Sequence, residues 1–202
     1  MTRIETILGY HGTTKINADN IYKTQLFIPN EDKTNALFLG RGVYFYPEKN
    51  DAVFWNINSM LKENKLVEYN RYKMDYSVVE VLMECKEDEI LDLDNIENYL
   101  NFQIYLESVN EKLVNSDFYK RAKNKDAALI NYMEKHGALD GIKIIKKTFF
   151  QNNKVLDKIK ICRVMFCIKD EKIIKEIMIS SEISEDVFNI IYKASFGKYR
   201  YV

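Results

Sequence analysis

Two short stretches hold the residue types that could do chemistry. "GYHGTT" at residues 9–14 sets a histidine and a glycine directly after the first hydrophobic run, and "GRGVYFY" at residues 40–46 sets two glycines beside two tyrosines. A glycine after a strand leaves the main chain open to a ligand, because no Cβ stands in the way. The N–H and C=O of Gly12 could then pair with a planar amide, with the His11 ring and the Thr13 hydroxyl beside them. In the second stretch Gly40 and Gly42 admit a close approach. Tyr44 and Tyr46 share one face of a strand by its period of two, a surface suited to stacking on a flat heterocycle. Each stretch alone also has a plain reading. A turn can hold a hydrogen-bonded histidine, and in a chain with 14 Tyr and 11 Phe two tyrosines can simply line a half-buried sheet.

Other chemistries find less support. The cysteines are Cys85, Cys162 and Cys167, an odd number set in apolar runs, which is no disulfide framework. The histidines are His11 and His136, neither near a cysteine pair, so no zinc motif and no metal site is expected. His136 precedes Gly137 and reads as the last residue of a helix before a left-handed glycine. The acidic run "ECKEDEILDLDNIE" lacks the alternating ligands and central glycine of a calcium loop. Neither GxGxxG nor GxxxxGK[ST] occurs.

The elements that must position these residues can be read from periodicity. Residues 3–10 suggest a strand ending at His11, followed by a short helix with Asn17 as its N-cap. "GVYFYP" is strand-like and stopped by Pro47. Val53, Ile57, Met60 and Leu61 then recur at helical spacing from Glu48 to about Asn64. "YSVVEVLMEC" alternates like a strand, "DEILDLDN" follows as an edge or turn, and residues 95–135 are helical in pattern. Three β-branched runs follow ("DGIKIIKK", "KIKICRVMFCIK", "EKIIKEIMIS"), and a helix over 184–193 ends the series. Strands, then helices, then strands again predict an α+β fold with a mostly antiparallel or mixed sheet in one domain over residues 1–202. Hydrophobic residues make up 47% and charged residues 30%, with 30 basic against 30 acidic side chains. That balance argues against strong general attraction to nucleic acid or membrane, although Lys and Arg between Lys143 and Lys175 leave room for one basic face. No apolar run approaches the ~18 residues of a membrane span, and a cytoplasmic protein is expected.

"YHGT", about thirty residues, then "GRGVYFY" and a helix together resemble the ADP-ribosyltransferase superfamily, in its diphtheria-toxin and poly(ADP-ribose) polymerase branch with a His-Tyr-Glu signature. The resemblance extends over about residues 4–178, its specificity resting on the first sixty, and it implies that branch's split, mostly antiparallel sheets. It implies NAD as substrate without a metal. His11 would hold the adenosine-side ribose, Gly12 the nicotinamide amide, and Tyr44 and Trp55, eleven positions on, the nicotinamide ring. Thr13, Gly42 and Tyr46 would complete the NAD site. The family's helix hydroxyl, eight positions after the tyrosine, is Ala52 here. "CRVMFCIKDEKIIKEI" resembles the branch's final hairpin, whose signature glutamate should fall in "KICRVMFCIK", a stretch without any acid. Its position falls on Arg163, Val164 or Met165 according to register, with Arg163 and Met165 on one face and Cys162, Val164 and Phe166 on the other. Arg163 is the candidate there, and Gln151, Asn152 and Asp157 are possible substitutes, with Phe149 and Phe150 toward a target. The resemblance implies single transfer of ADP-ribose to a macromolecule, protein or nucleic acid, as in bacterial or phage toxins and defence effectors, which partner antitoxins can neutralise. The missing acid leaves a binding-only NAD or ADP-ribose module as the alternative. An RNA-directed transferase is a third reading, although Tyr10 stands where the phosphotransferase branch has an arginine.

Overall fold

The first strand runs past the histidine at which the sequence suggested it would stop. In the computed structural model, which describes residues 2–28, 38–63, 65, 67–121, 125–152 and 160–196, β1 covers Ile4–Thr14 and α1 (Lys15–Thr24) starts without a turn between them. Thr14, not Asn17, is the N-cap: its hydroxyl accepts from the Asn17 N–H at 3.4 Å, which places Asn17 in the first turn. The remaining elements are β2 (Val43–Phe45), α2 (Lys49–Lys62), α3 (Tyr69–Asp75), β3 (Tyr76–Lys86), β4 (Ile90–Asp92), α4 (Ile96–Val114), α5 (Asp117–Arg121), α6 (Lys125–Lys135), β5 (Ile144–Asn152), β6 (Lys160–Ile168), β7 (Ile174–Ile179) and α7 (Glu185–Phe196).

The fold is α+β, with its strands in two sheets of order β1-β3-β7 and β2-β6-β5-β4. Every named pairing is antiparallel except β4 with β5. The last two strands do not form the hairpin that the resemblance implied. Both edges of β6 are taken, by β2 and β5, so the 3-10 turn Glu171–Ile173 carries the chain across to the free edge of β3 in the other sheet.

Alternation along β2 divides its side chains between two cores. Val43 and Phe45 enter a cluster with Ala18, Phe27, Val79 and Ile168. Tyr44 and Tyr46 pack with the larger cluster that α2, α6 and α7 help to build. The two tyrosines therefore do share a face. Helix α2 lies against β1, β3 and α7, with Ala52, Val53, Ile57 and Met60 wholly buried. Burying side chains of this kind stabilises by roughly 1.5–3 kcal/mol for each large one, which fixes the helix on the sheet.

Candidate functional site

Among the described residues, one backbone bridge joins the two sheets. Tyr10 and Tyr46 form an isolated bridge, Tyr10 N–H donating to the Tyr46 C=O at 2.8 Å and Tyr46 N–H to the Tyr10 C=O at 2.9 Å. Main-chain groups of a strand point to alternate edges, so Gly12 turns its N–H and C=O to the same side as Tyr10. The other edge agrees: Gly12 stands opposite Val78, whose C=O accepts from Ser180 N–H at 2.9 Å, facing away from β1. Past the bridge β1 and β2 part. Gly12 thus presents a donor and an acceptor to the gap, with no hydrogen-bond partner for either among the described residues.

His11 spans this gap. Its Nδ1–H donates to the Tyr44 C=O at 2.8 Å, which fixes the tautomer and leaves Nε2 as an acceptor. The ring meets Phe27 edge-on at 5.5 Å and Phe45 at 5.7 Å. Burial pushes its pKa below the ordinary histidine value, against the smaller opposing effect of the Tyr44 carbonyl, so the imidazole is neutral at pH 7. Thr13 lies next in the strand, its hydroxyl accepting from Asn17 Nδ2 at 3.5 Å.

Helix α2 closes one side of the gap. A Cβ on Gly12 would stand 2.3 Å from the Ala52 carbonyl oxygen and 2.8 Å from Asn56 Oδ1. The glycine is therefore demanded by the helix. Asn56 is buried and its Nδ2 donates to the Ser77 C=O at 2.9 Å, tying α2 to β3. At about 100° per residue, Ala52 and Asn56 face β1 and Asp51 faces β6, with Trp55 directed between them. Trp55 is 38% exposed, with Lys62 Nζ 5.4 Å from its ring centroid.

The glycines of "GRG" serve a different end. Gly40 (φ 73°) and Gly42 (φ 145°) occupy backbone conformations that side chains disfavour. Cβ atoms there would also strike Asn131 and Ile130 at 2.7 Å, and the Ile168 carbonyl oxygen at 2.5 Å. This folds the loop onto Tyr44, whose hydroxyl donates to the Gly40 C=O at 2.6 Å and accepts from Leu39 N–H at 2.8 Å. Burial pushes the phenol pKa of Tyr44 far up, and that of Tyr46 too, so both keep their protons near neutrality and neither ionises to act as a base.

On β6, Arg163, Met165 and Cys167 face the larger core and Phe166 and Ile168 the smaller one, the alternation expected from the sequence. Arg163 is buried, stacked 3.5 Å above the Phe54 ring and ion-paired with Asp51. Desolvation dominates at both ends of this pair: it pushes the Asp51 carboxyl up and the Arg163 guanidinium down despite their attraction. Arg163 Nε has no hydrogen-bond partner among the described residues. Asp51 and Asn56 were not singled out from the sequence. A carboxylate in a helix's first turn is ordinary, and nothing local announces a partner 112 residues away. Phe149 packs edge-on to Phe38 at 5.2 Å, and Phe150 is exposed. Asp157 and the side chains of Gln151 and Asn152 lie outside the described residues.

The lysines of the late segment are largely matched. Lys143 pairs with Glu89 at 2.7 Å, Lys146 with Asp92 at 2.7 Å, Lys169 with Glu134 at 2.8 Å, and Lys147 with Asp126. Among the described residues, no three His, Cys, Asp or Glu side chains gather to hold a metal ion, and no helix is long and apolar enough to cross a membrane.

No family model and no solved structure matches the chain. It is similar to an uncharacterised protein of Methanocaldococcus jannaschii, 27% identical over 130 residues. That alignment covers 64% of this chain, and the chain spans only 57% of the length of the archaeal protein.

Proposed function

We propose that the protein is an NAD-dependent mono-ADP-ribosyltransferase acting on a macromolecular acceptor. The observation that carries this reading is the unpaired main-chain edge of Gly12, facing the gap that neutral His11 spans. A primary carboxamide on a flat ring matches that edge: its C=O accepts from Gly12 N–H and its NH2 donates to Gly12 C=O. Trp55 and the Tyr44 ring suit a cationic nicotinamide. The Tyr44 hydroxyl is already committed to its own loop, so only the ring serves. His11 Nε2 is left to accept from a ribose hydroxyl. Held this way, the nicotinamide–ribose bond breaks toward an oxocarbenium-like centre, nicotinamide leaves with the bonding pair, and an acceptor nucleophile takes the freed carbon. Action in the cytoplasm as a toxin or defence effector, restrained by a partner, belongs to the same proposal.

The second reading is a binding-only module. It is favoured by the committed Arg163–Asp51 pair on the strand where the resemblance places a catalytic acid. Labelled NAD distinguishes the two. A transferase releases nicotinamide in the presence of a cell lysate and labels a macromolecule, His11→Ala and Tyr44→Ala abolish both, and Tyr44→Phe keeps most of the activity. A binding module is stabilised by NAD against heat and releases nothing. Labelling that survives His11→Ala would overturn the assignment of the site.

A further inference from the structure

The flank of α2 opposite the gap borders a second feature. Lys49 and Val53 of α2 line a cavity of about 110 Å³ together with Lys15 of α1, Lys73 of α3, Ser77 of β3 and residues 180–183 after β7. Val53 lies about 100° around the helix from Ala52, on the side away from Trp55, so this cavity is separate from the split between the sheets. Its wall carries three ammonium groups against the carboxylates of Asp19 and Glu182. Glu182 is paired with Lys73 at 2.8 Å. Among the described residues, Lys15 and Lys49 have no carboxylate within ion-pair distance. Lys49 is instead held by neutral oxygens, donating to the Ser181 C=O and to Ser181 Oγ at 2.9 Å. Glu80 attracts Lys49, and Glu182 attracts Lys15, only at longer range. Desolvation outweighs the attraction of Glu80 on Lys49, so an anion in direct contact would still be favourable.

We propose that this cavity binds a small oxyanion of the size of inorganic phosphate, held by Lys49 and Lys15 with hydroxyl donors from Ser77 and Ser181. The cavity has room for a tetrahedral oxyanion, since about 10–15 Å³ on the same measure already holds one water molecule. The bound ion would tie α1 and α2 to the strap at residues 180–183. It would thereby hold the helix that carries Ala52 and Trp55 from its far side.

Thermal unfolding in a titration of inorganic phosphate, at ionic strength held constant with chloride, tests this on the full chain. The wild type is expected to show a saturable rise in midpoint. Lys49→Met and Lys15→Met should each weaken the apparent affinity about tenfold or more, and Lys23→Met, on an exposed lysine in the last turn of α1, should leave it unchanged. Lys15 is exposed, so its variant reads binding without disturbing a packed side chain. His11→Ala should respond to phosphate like the wild type, which keeps this outcome apart from that of the NAD site. No saturable rise, or the same rise in all variants, would overturn the proposal and leave an adventitious ion only.

Discussion

Gly12→Ala tests how tightly α2 is seated on β1. No unusual φ is involved at Gly12, so backbone strain does not enter. The new methyl carbon would lie 2.3 Å from the Ala52 carbonyl oxygen and 3.0 Å from its carbonyl carbon. Ordinary contact starts near 3.4 Å, so the helix backbone must retreat by about 1.1 Å, and neither atom belongs to a side chain that can swing aside. Overpacking of this kind costs about 1–3 kcal/mol, and rigid backbone at the contact favours the upper part of that range. For a chain of this length about 2 kcal/mol corresponds to a fall in Tm of roughly 4–8 °C. Gly9→Ala is the internal control: it is in the same strand, and its nearest obstacle is the flexible Met83 Cε at 2.8 Å. Calorimetry should find Gly12→Ala the less stable by at least about 1 kcal/mol. The same retreat alters the gap, so NAD should no longer raise the midpoint of the Gly12→Ala protein. Equal midpoints for the two variants would refute the claim that α2 rests on the glycine.

Two further outcomes follow from buried charge and from His11. Arg163→Met or Asp51→Leu alone should destabilise toward the lower end of about 3–5 kcal/mol, since the Asp51 carboxylate keeps some contact with water. The double variant should fall well short of the sum in a denaturant-based double-mutant cycle, and additivity would show that the pair is not coupled. The histidine prediction concerns acid. The folded-state pKa of His11 lies below its unfolded value near 6.5, so above that pH both states are neutral and the group adds no pH dependence. As pH falls below about 6.5 the unfolded chain takes the proton first, and stability declines by up to about 1.4 kcal/mol per pH unit until the folded-state pKa is passed. Subtracting the profile of His11→Gln isolates this slope; a wild type that gained stability over the variant on acidification would contradict it.

Local pattern made much of this molecule legible. Period-two alternation placed Tyr44 with Tyr46 and Arg163 with Met165, and helical spacing located α2 to within two residues at either end. The signals failed where the deciding contact was distant. Nothing near "GRG" says that its glycines answer to Asn131 and Ile168, or that the Tyr44 hydroxyl is occupied by its own loop. A hairpin is the economical reading of β6 and β7, because a short polar link joins them. Only the pairing of β6 on both edges forces the chain to cross. His11 was placed at a strand end because the hydrophobic run stops there. The strand continues because β3 offers partners as far as Thr14.

The crossing between β6 and β7 has a consequence for how the chain reaches this state. Each sheet draws strands from both ends of the sequence: β3 must find β7, as in Val79 with Ile179, and β2 must find β6, as in Val43 with Ile168, each across roughly a hundred residues or more. Such pairings give a high contact order, with loop closure opposing the fold before any ladder stabilises it. Neither half of the chain contains a complete sheet, so a fragment cut between α4 and α6 would expose unpaired strand edges from either part. The two sheets should therefore be gained and lost together, slowly and in one cooperative step.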